Sequence, residues 1–233
     1  MLVEYSYKLL PGYRVSLNEP APSIRRSDYT ESFDIKDREF DLIDHCFGNL
    51  PSAYIDYLRR RSGALPISIV DLGGGWFSRA SRGVAKKFGS DVDVTNIDVL
   101  LHGEVNDTDN FHARLGDISN LDLSDASVDL AYSWQVLFRM EEGRRMNTFR
   151  EVARVLRPGG VAFVDEDYLC TLPSDSSELQ DLAQELGVTL HFKNGTAMKS
   201  DRVYPHGPTT SRFLLMVKEP EDAEMLAIEE KID

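Results

Sequence analysis

Cysteine is almost absent from this chain: Cys46 and Cys170 are the only two in 233 residues. Two thiols build no disulfide framework, and they fit a reducing compartment better than an oxidising one. Long apolar runs are missing too, so no stretch reads as a membrane span. The opening MLVEYSYKLL is broken by Glu4 before an apolar core forms, which leaves no signal-peptide pattern. A cytoplasmic protein is therefore expected. Positive charge is in deficit: 26 Lys and Arg against 39 Asp and Glu leave a net charge of −13. Non-specific binding to nucleic acid or anionic membrane needs the opposite footprint, so neither is expected as a partner. The small basic clusters Arg59–Arg61 and Arg144–Arg145 read as solvated helix ends. None of the five histidines has H-E-x-x-H spacing and no C-x-x-C occurs, so no metal is expected.

What is present is a core-forming chain with ordinary apolar content, 42%. The first thirty or so residues carry Pro11, Gly12, Pro20 and Pro22 among scattered apolar positions and read as an arm. Two helical patterns follow, with Phe40, Ile43 and Phe47 on one face, then Tyr54, Ile55 and Leu58 on another. Residues 1–66 are thus expected to form an N-terminal arm and helices that cover a substrate. From Ile67 the rhythm changes. "ISIVDL", "DVTNID", "ARLGD", "VDLAYSW" and "VAFVD" read as strands, with helices expected over 78–88 and 144–157. "VTLHF" and "RFLLMV" close the chain with no helical pattern between them. Residues 67–233 are expected to form one α/β domain: a doubly wound, Rossmann-like, seven-stranded sheet, mostly parallel, with the last strand antiparallel.

The clearest signal is "IVDLGGGWFSRA", where Gly73, Gly74 and Gly75 sit on the first strand-to-helix turn. Ligands of open parallel sheets bind beyond the carboxyl ends of the strands, and such a turn lets backbone approach a ligand closely. Asp98 ends the next strand about 25 residues beyond Gly73, the spacing at which a carboxylate meets a ribose. Asp71 sits poorly beside a pyrophosphate and suits a ligand with a cationic end. Trp76 follows the glycines directly, and Phe77 reads as the start of the buried stripe that continues through Ala80, Val84 and Phe88.

"VDLGGG" resembles the D-x-G-x-G motif of class I S-adenosylmethionine-dependent methyltransferases. "NID", "GDISNLDLSDASVDLAYSWQVL" and "FREVARVLRPGGVAFV" are similar to later motifs of the small-molecule methyltransferase group, so the resemblance runs from about Ile67 to Val164. It implies S-adenosylmethionine as cofactor. It places Gly73, Gly74 and Gly75 against the methionine portion, Asp71 near the amino group and Asp98 on the ribose. Asp117 would accept from the adenine amino group, with Ile118 against the ring, and Ser133 and Trp134 would line the floor. The implied activity is methyl transfer to a small-molecule substrate, with Glu166 of "VDEDYLC" as the candidate base. The alternative is a catalytically inactive, methyltransferase-like protein that binds a partner.

Overall fold

The computed structural model describes residues 13–15, 39–62, 66–75, 77–102, 105–134, 136–137, 140–165, 177–194 and 212–218. In chain order its elements are β1 (Tyr13–Val15), α1 (Phe40–Cys46), α2 (Leu50–Ser62), β2 (Ile67–Leu72), α3 (Arg79–Phe88), β3 (Val92–Asp98), β4 (Leu100–His102), β5 (Phe111–Leu115), β6 (Val128–Ser133), α4 (Glu142–Val155), β7 (Leu156–Asp165), α5 (Ser177–Leu186), β8 (Val188–Asn194) and β9 (Arg212–Lys218). Seven strands form one sheet in the order β5-β3-β2-β6-β7-β9-β8. All neighbouring pairs are parallel except those of β9, which runs against both β7 and β8. This is the expected doubly wound sheet with its last strand antiparallel.

Strand periodicity divides the core into two layers. Ile69, Leu130, Tyr132, Val161, Phe163 and Leu215 face α1, α2 and α3. Val70, Ala131, Ala162, Val164 and Leu214 face the opposite way, towards Phe149 and Val152 of α4 and Ala183 of α5. Helix α3 buries Ala80, Val84 and Phe88, as the stripe predicts. Phe77 is not part of that stripe. Ser78, with φ +50°, interposes a left-handed residue before the helix begins at Arg79. The turn leaves Phe77 half-buried ahead of the helix, with the Arg79 guanidinium 5.9 Å from its ring centre.

The N-terminal helices belong to the same core. Phe47 is fully buried, and its ring packs against Trp134 at 5.6 Å, Phe163 at 5.6 Å and Phe213 at 5.2 Å between ring centres. Tyr54 donates a 2.7 Å hydrogen bond from its hydroxyl to the Gly159 carbonyl. One hydrophobic cluster therefore spans the expected division after residue 66. Helix α4 starts and ends two residues earlier than expected. Its last carbonyls, at Arg154 and Val155, accept from the Ala126 and Ser127 amides, and Leu156 already pairs with Val128 in the sheet. The helix thus stops before Pro158 because the sheet takes over the backbone. The pattern reading also missed a short second sheet, in which Tyr13 pairs with His102 and Val15 with Leu100. No helix among the described residues is long and apolar enough to cross a membrane.

Candidate functional site

The glycine turn lies at the carboxyl end of β2 and is tied, amide by amide, to β3. The Gly73 amide donates to the Ile97 carbonyl at 2.8 Å. The Gly74 amide donates to Asn96 Oδ1 at 3.0 Å, and the Gly75 amide to Asp98 Oδ2 at 2.9 Å. Asn96, with no solvent exposure, also donates through Nδ2 to Ser78 Oγ at 2.5 Å and to the Gly75 carbonyl at 3.4 Å. One buried amide thus holds both limbs of the turn. Each of these groups is costly to bury unless bonded, so the network fixes the turn's shape.

Gly74 has no room for a side chain: a Cβ there would collide with the Asp71 carboxylate and lie 2.5 Å from Asn96 Oδ1. Gly73 and Gly75 take φ of +74° and +83°, where a side chain is strained. Asp71, only 2% exposed, lies beneath the turn and accepts from Ser81 Oγ at 2.6 Å. Burial, together with the Asp71 charge, holds the Tyr132 phenol well above its ordinary pKa, so it stays neutral.

Asp98 is half-buried, and its carbonyl accepts from the Gly116 amide at 3.0 Å. That bond brings Asp117 to the neighbouring strand end. Asp117 Oδ1 accepts from the Ser119 amide at 2.9 Å and from its hydroxyl at 2.8 Å. Its Oδ2 pairs with Arg144 of α4. Burial pushes the Asp117 pKa up, but the Arg144 and Ser119 donors outweigh it and hold the carboxyl below its ordinary value. Ile118 is buried in the layer facing α4. Ser133 Oγ donates to the Leu72 carbonyl at 3.2 Å, which links the end of β6 to the strand before the glycines. Trp134 is buried edge-on against Phe47. Glu166 and Trp76 lie outside the described residues.

The carboxyl ends of β2, β3, β5 and β6 thus gather Asp71, the glycines, Asp98, Asp117, Ile118, Ser133 and Trp134. Sequence reasoning overlooked Asn96 and misread two arginines. Asn96 had a readable signal: with Val92 and Val94 it occupies the buried positions of β3, where an amide must find partners. Arg144 and Arg145 are not solvated helix ends. Arg144 pairs with Asp117, and Arg145 is buried. Nothing in their local sequence distinguishes them from exposed arginines.

An open sheet in this strand order, with a glycine turn braced between two strand-end carboxylates, defines the class I S-adenosylmethionine-dependent methyltransferase fold. Residues 70–164 match the family model described as a methyltransferase domain. The chain is also similar in structure to a methyltransferase of Methanosarcina mazei, with 16% identity, 70% of this chain and 98% of that chain covered, and a TM-score of 0.47. For Haemonchus contortus phosphoethanolamine N-methyltransferase 2, in complex with S-adenosyl-L-methionine, the values are 12%, 73%, 53% and 0.48. For the [4+2]-cyclase SpnF they are 15%, 72%, 80% and 0.47. At such values the likeness carries no argument about activity. No curated protein matches the sequence.

Proposed function

We propose that the chain transfers a methyl group from S-adenosylmethionine to a small-molecule acceptor. The observation that carries this reading is the bond from the Gly75 amide to Asp98 Oδ2, which fixes a carboxylate beside a glycine turn at the carboxyl edge of the sheet. The donor set fits the cofactor: acceptors for ribose hydroxyls at Asp98 and for an amino group at Asp117, with apolar Ile118 adjoining in sequence. When bound, S-adenosylmethionine supplies a methyl group on a cationic sulfur, open to in-line displacement. The chain's own work is to hold and orient. Gly73 and Gly75 offer backbone to the methionine portion, and Asp71 supports that contact from beneath Gly74. Ser133 and Trp134 form the floor. Much of the rate in such a displacement comes from alignment at near-contact distance. Glu166 is the proposed base, required only when the acceptor atom is protonated as bound.

Calorimetric titration with S-adenosylmethionine and S-adenosylhomocysteine tests the reading. The wild type is expected to bind both, and Asp98→Ala to bind each more weakly by about 1–3 kcal/mol, the scale of a lost charged hydrogen bond. Unchanged affinity in that variant would remove Asp98 from the ribose. A second reading, an inactive relative that binds a protein partner, draws on Asp117, whose two oxygens already receive Ser119 and Arg144. Absence of binding by the wild type would favour it.

A further inference from the structure

Arg145 is the most deeply buried basic residue described, at 8% exposure. It shares the buried face of α4 with Met146, Phe149, Val152 and Ala153. At the helical period it falls in the middle of that face, one turn ahead of Phe149 and two ahead of Val152. Its Nε has no hydrogen-bond partner, and among the described residues its guanidinium forms no ion pair. The neighbouring arginines differ. Arg144 meets Asp117, Arg154 meets Glu151 and Asp125, and Arg157 meets Asp129 through both carboxylate oxygens. Among the described residues, these three more exposed guanidinium groups each meet a carboxylate and the buried one meets none. A guanidinium nitrogen buried without an acceptor is costly for a fold to keep.

Its location explains what it is kept for. Helix α4 connects the carboxyl end of β6 to the start of β7, so its first turn lies at the carboxyl end of the sheet. The reach of Arg144 to Asp117, just past β5, marks the same end. Helical side chains lean towards the helix N-terminus, which carries the Arg145 guanidinium further that way.

We infer that Arg145 anchors an anion site and that its ligand is a carboxylate on the methyl acceptor. The guanidinium fork matches a carboxylate through two parallel hydrogen bonds. One buried positive charge is matched by one negative charge, which favours a carboxylate over a phosphate dianion. The acceptor assignment rests on the methyl-transfer reading; the anion site itself does not. S-adenosylmethionine carries a carboxylate of its own, so the test must separate the two sources.

The full chain, as wild type, Arg145→Met and Arg145→Lys, is melted in rising acetate, with chloride at matched ionic strength. Acetate should raise the wild-type melting temperature saturably, raise that of Arg145→Lys less, and leave that of Arg145→Met unmoved. In chloride alone, Arg145→Met should melt at or above the wild type, because the change removes an unpaired charge. Absence of a saturable acetate effect in the wild type overturns the site. So does an Arg145→Met protein that melts well below the wild type in chloride or fails to fold, since the guanidinium would then be serving the fold. A second arm compares S-adenosylhomocysteine with methylthioadenosine, which lacks the amino-acid end. Equal affinities for each in wild type and Arg145→Met support the acceptor. A tenfold loss confined to S-adenosylhomocysteine gives the site to the cofactor and overturns the acceptor assignment. Failure of the wild type to bind either nucleoside defeats the methyl-transfer reading without touching the acetate result.

Discussion

The Asn96 side chain and the Gly74 amide are joined by a 3.0 Å hydrogen bond that crosses from the second strand of the domain to the glycine turn of the first. Asn96→Ala deletes this acceptor and the donor to Ser78, leaving buried groups unpaired. The expected loss is about 1–3 kcal/mol of unfolding free energy. Urea denaturation measures it, and an unchanged midpoint at the same slope would mean that the turn holds its shape without Asn96.

Two glycine substitutions should behave oppositely. Gly74→Ala drives a methyl group into Asp71 and Asn96 and should cost at least about 1–3 kcal/mol, the scale of overpacking a tight site. Gly143→Ala, on the exposed first turn of α4 with nothing within 4 Å, should be neutral or stabilise by roughly 0.5–1 kcal/mol. Thermal melts of the pair check both directions together.

Tyr54→Phe removes only the hydroxyl that reaches the Gly159 carbonyl at 2.7 Å. A loss of about 0.5–1.5 kcal/mol is expected. Native-state hydrogen exchange should also show faster opening of α2, the helix that carries Tyr54. If exchange is unaltered, the Tyr54 hydroxyl plays no part in holding α2.

Acid stability should depend on Asp107. Burial pushes its carboxyl up, but Arg114, the Ala113 amide and His112 outweigh this and lower the pKa from 3.8 to about 2. A carboxylate whose folded pKa is depressed stabilises the fold above its unfolded pKa, and that contribution fades as pH falls through the folded value. The stability gap between wild type and Asp107→Asn should therefore be constant above pH 3.8 and close as pH falls towards about 2. The side chain is 44% exposed, so salt should shrink the gap at neutral pH. A gap that persists at pH 2 would assign the effect to the neutral hydrogen bonds.

The short apolar runs "ISIVDL" and "VAFVD" were legible as strands because they are buried almost throughout, and the stripe through Ala80, Val84 and Phe88 because the helical period also sets its burial. The glycine turn and Asp98 were legible by spacing. What was hidden is tertiary. Phe77 loses its place in the stripe to a left-handed residue at Ser78. The end of α4 is set by sheet pairing at Leu156, not by Pro158. Arg144 and Arg145 differ only in what lies opposite them, and a single chain of letters carries no record of that.

The aromatic seat of Phe47 has a kinetic corollary. Its ring rests on Phe163 and Phe213, so the surface that receives the end of α1 is assembled from β7 and β9, far later in the chain. During synthesis α1 emerges early but has no finished berth until β9, the last of the described strands, has been made. Closing so long a loop is slow, and the contacts that reward it come late. The N-terminal helices should therefore wait, exposed and in need of protection, until the final strand slots between β7 and β8 and folding completes in one cooperative step.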